Sequence, residues 1–249
     1  MGLYKWQASY VCAGTAMLPF VPLLYLQGQL TRRKVGVLPD AAGGQNGSIG
    51  EGDDAVRLLV IGESTVAGLG ARTHDLALAG RFSYELSKHI ERPVKWTVIG
   101  KNGVTARRTI NELLPKVPEE TYDYILLGIG GNDVMKLSSP VKWRRDMIEL
   151  LGILRAKYPN APIFITNCPM IKMSTAIPQP IKFILWELSK AHDSNIKEFT
   201  ADMDRVFYYH QPRDLEIEGF FADGIHPSEK GYADWSEAMM KFFTANYKW

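Results

Sequence analysis

The sequence is poor in cysteine and has almost no net charge. Only two of its 249 residues are cysteines, Cys12 and Cys168, so neither a disulfide framework nor a cysteine metal site is indicated. A formal net charge of +2, with scattered basic residues, gives no basis for nucleic-acid binding. Hydrophobic and charged shares of 46% and 22% are typical of one globular α/β domain with a short extension. We expect no bound metal and no nucleic-acid partner.

Charged residues are also missing from a long stretch near the N-terminus. None occurs in residues 7–31, and the core of this stretch, residues 8–26, is long enough to cross a bilayer as a helix. Pro19 and Pro22 would kink such a helix, and they also fit a shallow or re-entrant segment. We therefore expect contact with a membrane.

The flanks of this stretch indicate how it is used. Lys5 is the only charge before it, and no good small-x-small cleavage site precedes Arg32, so a cleaved signal peptide fits less well than a retained anchor. We predict that residues 1–34 are a hydrophobic anchor segment. The basic cluster Arg32-Arg33-Lys34 favours a cytoplasmic domain, with export to the periplasm as the alternative.

The rest of the chain divides into a linker and one domain. Residues 35–55 are rich in glycine and polar residues without apolar periodicity, which predicts a flexible linker. Strand and helix patterns then alternate through residues 56–249. The predicted strands are 56–61, 94–99, 122–129, 162–166 and 206–209, and the predicted helices are 76–90, 105–114, 141–157, 180–201 and 228–245. This pattern predicts a flavodoxin-like three-layer α/β/α sandwich with a five-stranded parallel sheet.

Four polar blocks stand at the ends of predicted strands or before the last helix. They are Gly62-Glu63-Ser64, Gly103-Val104-Thr105, Gly130-Gly131-Asn132-Asp133 and Asp223-Gly224-Ile225-His226-Pro227. Each block taken singly has a structural explanation as a turn, a helix cap or a helix start. Because open parallel sheets bind ligands at the carboxyl ends of their strands, we expect the blocks to meet at one edge.

Together the blocks contain the groups that acyl transfer from an ester requires. The reaction needs a hydroxyl nucleophile, a base that takes its proton, and donors for the developing oxyanion. Ser64 can supply the hydroxyl and, with its backbone N–H, one donor. Gly103 and Asn132 can supply two further N–H donors. His226 can act as the base, with Asp223 holding its imidazole in the required tautomer.

These blocks resemble those of the SGNH hydrolases, also called GDSL-type esterases and lipases, from residue 56 to about the C-terminus. The resemblance implies the same flavodoxin-like fold and an acyl-enzyme mechanism without a cofactor. It implies Ser64 as nucleophile, with His226 as base and Asp223 as its partner. It also implies an oxyanion hole formed by Ser64, Gly103 and Asn132.

The first block departs from the family pattern at two positions. The common aspartate is Glu63 here, and the leucine after the serine is Thr65. We expect neither position to carry the chemistry, although the turn geometry can shift. Val66 stands where the nucleophile elbow of an α/β-hydrolase needs glycine, which disfavours that fold. In the third block, we expect Asp133 to brace the loop by hydrogen bonds.

The expected function is that of a serine esterase that hydrolyses carboxylic esters with short to medium acyl chains, with lipid-derived esters among the candidates. Its partners would be a small-molecule ester and, through residues 1–34, a membrane. One alternative is a carbohydrate O-acetyl esterase on the same scaffold. Another is a non-catalytic, flavodoxin-like binding module, which would not need Ser64, Asp223 and His226 together with Asn132.

A loop after the fourth predicted strand is a candidate for acyl-chain binding. Its apolar side chains are Met170, Ile171, Met173 and Ile177. They lie near the sheet edge that carries Ser64, and flexible thioethers suit a pocket that adapts to acyl chains. The alternative is an ordinary loop that packs on the next helix around Phe183 and Trp186.

Overall fold

The computed structural model describes residues 2–36, 38–211 and 218–248. The chain begins with helices α1 (Leu3–Met17) and α2 (Val21–Val35), which one 3₁₀ turn, Leu18–Phe20, joins into an almost continuous rod. Pro19 and Pro22 each fall in the first turn of a helical piece, where a missing N–H is tolerated. No residue of these two fully described helices is buried.

One six-stranded sheet forms the centre of the domain. Its strands are β1 (Asn46–Ile49), β2 (Val56–Gly62), β3 (Val94–Gly100), β4 (Tyr124–Gly128), β5 (Ile163–Ile165) and β6 (Val206–Tyr208). Their order is β1-β3-β2-β4-β5-β6, and all pairs from β2 to β6 are parallel. These five strands confirm the flavodoxin-like prediction. The chain passes from β2 to β3 on one side and then to β4 on the other, so the strand order reverses at β2. Open parallel sheets bind ligands at the carboxyl end of the strand where this reversal occurs, the switch point of the sheet.

Helices cover both faces of the sheet and bury it on both sides. They are α3 (Leu78–Ile90), α4 (Ala106–Arg108), α5 (Gly131–Met135), α6 (Pro140–Lys157), α7 (Ile181–Thr200) and α8 (Glu229–Asn246). On one face, Phe164 of β5 packs among Phe82 of α3 and Phe243 of α8. On the other face, its neighbours Ile163 and Ile165 join the core beneath α6 and α7. Burial on both faces explains why β4, β5 and β6 are continuous apolar runs and why β2 and β3 are mostly apolar.

The sheet has one strand more than the five that the sequence predicts. The additional strand, β1, lies within residues 35–55, which the sequence predicts as a flexible linker, and pairs antiparallel with β3. A Cβ at Gly47 would overlap the indole of Trp96, so the backbone of β1 packs directly on that ring. Thr97 Oγ1 also donates to Asn46 Oδ1 at 2.9 Å. The sequence of β1 has a single apolar residue, so no alternation marks it as a strand.

A second difference concerns the predicted helix over residues 105–114. The structure has only the three-residue α4 there, followed by a π-helical turn (Thr109–Leu113) and a 3₁₀ turn (Leu114–Lys116). Pro115 lies in the first turn of the 3₁₀ segment, where it lacks the N–H that a regular helix would use. The other four predicted helices agree with the structure to within two residues, and the short α5 was not predicted.

Candidate active site

Ser64 lies directly beyond β2, at the switch point of the sheet. The strand ends at Gly62, which has a φ of 153° and passes so close to β4 that a Cβ would overlap the carbonyl oxygen of Gly128. The chain then turns, and the N–H groups of Val66 and Ala67 both donate to the carbonyl oxygen of Glu63 at 2.9 Å. This turn holds Ser64 at the carboxyl edge, where 8% of its surface is exposed.

Gly103 and Asn132 follow the two strands that flank β2, as the sequence predicts. Gly103 has a φ of 79°, and no atom lies within 4 Å of the place a Cβ would occupy, so the space beside it is open to a ligand. The Gly103 carbonyl oxygen accepts hydrogen bonds from Lys136 Nζ at 2.6 Å and Arg108 Nη1 at 3.0 Å. Asn132 lies in the first turn of α5. Both positions can present N–H donors at the edge that carries Ser64.

Asp223 and His226 form a preorganised pair. His226 Nδ1 lies 2.8 Å from Asp223 Oδ2, and Asp223 Oδ1 accepts from the backbone N–H groups of Ile225 at 2.9 Å and His226 at 2.7 Å. Burial opposes ionisation of Asp223, but these hydrogen bonds outweigh it and lower its pKa. A carboxylate at Nδ1 fixes the proton there and leaves Nε2 free to accept one.

The loop that carries His226 packs against the loop that follows Ser64. A Cβ at Gly70 would overlap the carbonyl oxygen of Pro227, so the two backbones are in direct contact. Tyr232 Oη of α8 donates to the carbonyl oxygen of Leu69 at 2.8 Å and ties the same two segments together. Residues more than 150 positions apart therefore reach the same edge of the sheet.

Glu63 is a site residue to which the sequence assigned no role. Its carboxylate reaches across to α5, where Oε1 accepts from the N–H of Gly131 at 2.7 Å. Oε2 accepts from both the backbone N–H and the side-chain Nδ2 of Asn132, each at 2.8 Å. Glu63 thus satisfies the free N–H groups at the start of α5 and, because a carboxylate only accepts, orients the Asn132 amide. An acid directly after an apolar strand was the available signal.

The protonation of Glu63 is balanced near neutrality. Burial raises its pKa, and the neighbouring Asp133 raises it further, while the three N–H donors lower it, with the result about 7. Asp133 itself is buried and accepts from the N–H of Ala106 at 2.8 Å and from Ser138 Oγ at 3.0 Å. This confirms that Asp133 braces the loop.

The four apolar side chains of the loop proposed to bind acyl chains differ in how deeply they are buried. Ile171 and Ile177 are buried in a small apolar cluster with Val134 and Leu185. Met170 and Met173 stay half-buried at the same loop. The acyl-chain prediction therefore depends on the two methionines, since the isoleucine side chains are occupied by packing.

Among residues 2–36, 38–211 and 218–248, no three His, Cys, Asp or Glu side chains are grouped to hold a metal ion. The site residues described above offer a nucleophilic hydroxyl in Ser64, an imidazole in His226 whose tautomer Asp223 fixes, and N–H donors at Gly103 and Asn132. That combination can form and hydrolyse an acyl-enzyme.

Comparisons with known proteins bear on this chemistry. The model of the GDSL-like lipase/acylhydrolase family matches residues 60–233. No curated protein matches the sequence. Solved structures share the fold at low sequence identity. A lipase, Lip_vut3, from a goat rumen metagenome is 16% identical with a TM-score of 0.60, and the match covers 77% of this chain and 97% of that one.

Two further solved structures differ from that lipase in the kind of ester they are named for. A mutant of Axe2, an acetyl-xylooligosaccharide esterase from Geobacillus Stearmophilus, is 17% identical with a TM-score of 0.57, over 78% of this chain and 95% of that one. Phospholipase A1 from Streptomyces albidoflavus is 14% identical with a TM-score of 0.52, over 76% and 99%. At such identities the likeness concerns the fold.

Proposed function

The chain belongs to the GDSL-like lipase/acylhydrolase family and is a carboxylic ester hydrolase, and from this premise we propose that Ser64 is its nucleophile. Ser64 Oγ attacks the ester carbonyl while His226 Nε2 takes its proton and passes it to the leaving alcohol. Water, activated by the same imidazole, then hydrolyses the acyl-enzyme. The observation that carries the proposal is the Asp223–His226 pair, 2.8 Å apart, on a loop in contact with the Ser64 loop.

In the same proposal, the oxyanion of the tetrahedral intermediate is held by three donors. They are the backbone N–H groups of Ser64 and Gly103 and the second N–H of Asn132 Nδ2, whose first N–H is taken by Glu63. Glu63 acts through Asn132 and is a positioning residue. The hydrogen bonds from Lys136 and Arg108 hold the Gly103 loop in place.

We propose short to medium acyl esters as substrates, taken up at a membrane through residues 1–34. The apolar N-terminal helices support the proposal that the chain binds a membrane. The basic end at Arg32-Arg33-Lys34 favours a domain on the cytoplasmic face of that membrane. The alternative is a carbohydrate O-acetyl esterase, since an esterase of acetylated xylooligosaccharides shares the fold. Turnover of p-nitrophenyl esters, lysophospholipids, acyl thioesters and acetylated sugars by the full chain in detergent separates them. Exclusive turnover of acetylated sugars would establish the alternative.

Met170→Ala should lower kcat/KM for an octanoyl ester more than for an acetyl ester. A lost apolar contact costs about 1–3 kcal/mol, or roughly tenfold to a hundredfold, and only the longer chain reaches the thioether. The measurement is kcat/KM on a matched pair of p-nitrophenyl esters. Ile153→Ala, at an exposed residue of α6, is the control. Equal losses on both esters would place the loop outside the acyl pocket.

Glu63→Gln should lower kcat by roughly tenfold to a hundredfold, and Asn132→Ala by about 10²–10³. Gln offers one acceptor oxygen and one NH₂ group, so an N–H of α5 is left facing a donor. If Glu63 acts only through Asn132, the double variant should be no slower than Asn132→Ala alone. Glu63→Asp keeps the carboxylate and should recover part of the rate. Multiplicative losses in the double variant would show that Glu63 acts elsewhere.

The pKa of Glu63, about 7, predicts opposite pH dependences of activity and stability. Activity should rise through about pH 7 as the carboxylate forms, whereas the folded state binds this proton more tightly than the unfolded chain. The free energy of unfolding should therefore fall between pH 4.5, the ordinary pKa of a glutamate, and pH 7, by roughly 3 kcal/mol at most. Glu63→Gln should reduce this fall, measured by urea unfolding at pH 5 and pH 8. An unchanged fall would contradict the assignment.

A further inference from the structure

The N-terminal helices lie along the domain and are held there at both ends. Tyr10 Oη of α1 donates to the carbonyl oxygen of Leu137 at 2.8 Å, and Gln27 Nε2 of α2 donates to that of Gln179 at 2.6 Å. Between these two contacts the rod runs for roughly 25 Å beside α6 and α7. A helix that crosses a bilayer needs about 20 residues in the hydrocarbon region. The docked rod could cross only if the domain entered the bilayer with it.

The rod bonds to the domain through three polar side chains and leaves large apolar side chains on its outward side. Positions that are partly shielded recur every seven residues: Leu3, Tyr10, Met17, Leu24 and Thr31. The residue after each of the first four is exposed: Tyr4 85%, Val11 52%, Leu18 64% and Tyr25 68%. Gln7 Oε1 and the side chains of Tyr10 and Gln27 bond to the domain. Leu3, Met17 and Leu24 are apolar as well, so the rod is apolar on both sides, and its outward side suits an apolar solvent.

The domain continues this apolar surface toward the candidate active site. Leu137 and Val141 are 49% and 40% exposed, and each supplies a backbone group that bonds to α1. Phe183, 60% exposed, lies one turn beyond the contact with Gln27, and its N–H donates to Gln179 Oε1. Met135 is 45% exposed and follows Asn132 in α5. The exposed apolar face thus runs from the rod to the rim of the site.

The charge of the same segments has one sign. Residues 2–36, 134–142 and 169–186 contain no aspartate or glutamate. Their charged residues are Lys5, Arg32, Arg33, Lys34, Lys136, Lys142, Lys172 and Lys182. Since the whole chain carries only +2, the positive charge is concentrated in the segments that form the apolar face. Apolar side chains flanked by lysine and arginine are complementary to an anionic lipid surface.

We propose that α1, α2 and the adjoining edge of the domain form one surface that lies flat on an anionic bilayer. The rod stays docked, its outward side chains and Phe183 enter the boundary of the hydrocarbon, and the basic residues of segments 2–36 and 169–186 contact the headgroups, whereas Lys136 and Lys142 keep their bonds to Gly103 and Asp146. The rim of the site at Met135 and Leu137 then faces the lipid. The proposal rests on the proposed function only in assigning lipid esters as the substrates that reach this rim.

Depth measurements on the full chain distinguish a flat rod from a crossing one. Single cysteines replace Val11, Leu18 and Tyr25 in a Cys12→Ser background, where the remaining Cys168 is buried. Each is labelled with an environment-sensitive fluorophore in vesicles of phosphatidylcholine and phosphatidylglycerol carrying nitroxide quenchers at known depths. Phe183→Cys reports the domain edge. Tyr84→Cys, an aromatic position on α3 across the sheet that is 48% exposed, is the control.

A flat rod gives three equal, shallow depths, with the Phe183 label in lipid and the Tyr84 label in water. Binding should weaken more than about tenfold in pure phosphatidylcholine. A label at position 18 that lies about 10 Å deeper than those at 11 and 25, with the Phe183 label in water, would establish a crossing helix and overturn the proposal. Labels that all remain in water, or a mature protein lacking residues 1–34, would overturn it too. These readouts do not depend on ester turnover, so a failure of the proposed function is seen separately.

Discussion

Ser64→Ala should reduce kcat on carboxylic esters by a factor of about 10⁴ or more while leaving the fold intact. The change removes the hydroxyl that becomes acylated and almost no volume. The fold should persist because Ser64 lies within a turn that backbone hydrogen bonds from Val66 and Ala67 to Glu63 hold in place. Residual turnover would come from the oxyanion donors alone. The measurements are burst-phase kinetics on a p-nitrophenyl ester and the circular dichroism spectrum of the variant.

A serine-directed phosphonate provides the matching test. The wild-type protein should be labelled at one serine and lose activity in proportion, whereas the Ser64→Ala protein should not be labelled. Ser228→Ala is a suitable control, because the Ser228 hydroxyl accepts from the N–H of Gly231 as the N-cap of α8 and is outside the proposed chemistry. If Ser64→Ala keeps wild-type turnover with contamination excluded, Ser64 is not the nucleophile. Absent labelling of the wild-type protein would instead favour a binding module.

His226→Ala should be nearly as damaging as loss of Ser64, with a fall in kcat on the order of 10⁴. Nucleophile and base act as one unit, so combining the two substitutions should cost little more than either alone. Asp223→Asn should be milder in kcat, because the backbone N–H groups of Ile225 and His226 still position the side chain. Its amide can donate to Nδ1, however, which favours the wrong imidazole tautomer.

Added imidazole separates chemistry from structure in these variants. It should restore part of the activity of His226→Ala, where a cavity replaces the base, and none of that of Ser64→Ala. A His226→Ala variant that keeps more than a tenth of the wild-type kcat would remove His226 from the mechanism. A thermal denaturation curve for each variant excludes unfolding as the cause.

The sequence by itself determined the architecture and most of the candidate site. The parallel strands are largely buried on both faces, so they appear as mostly apolar runs that composition alone marks, interrupted by Arg57 in β2 and by Lys95 and Thr97 in β3. The blocks containing Ser64, Gly103 and Asn132 stand at the ends of those runs, and parallel strands bring such ends to one edge. Asp223 and His226 are three residues apart, so their hydrogen bond needed only a local turn.

The tertiary structure decided what depends on residues far apart in the chain. The carboxylate of Glu63 bonds to Gly131 and Asn132, 68 and 69 positions away, and no local pattern specifies that reach or the balance of burial and donors that sets its pKa. Likewise β1 is held by Trp96 and Thr97 of the neighbouring strand rather than by apolar side chains of its own. The sequence shows that α1 and α2 are apolar. Which side of them faces the domain is set by hydrogen bonds to α6 and to the loop before α7, because only contacts with the folded domain distinguish one side of an apolar helix from the other.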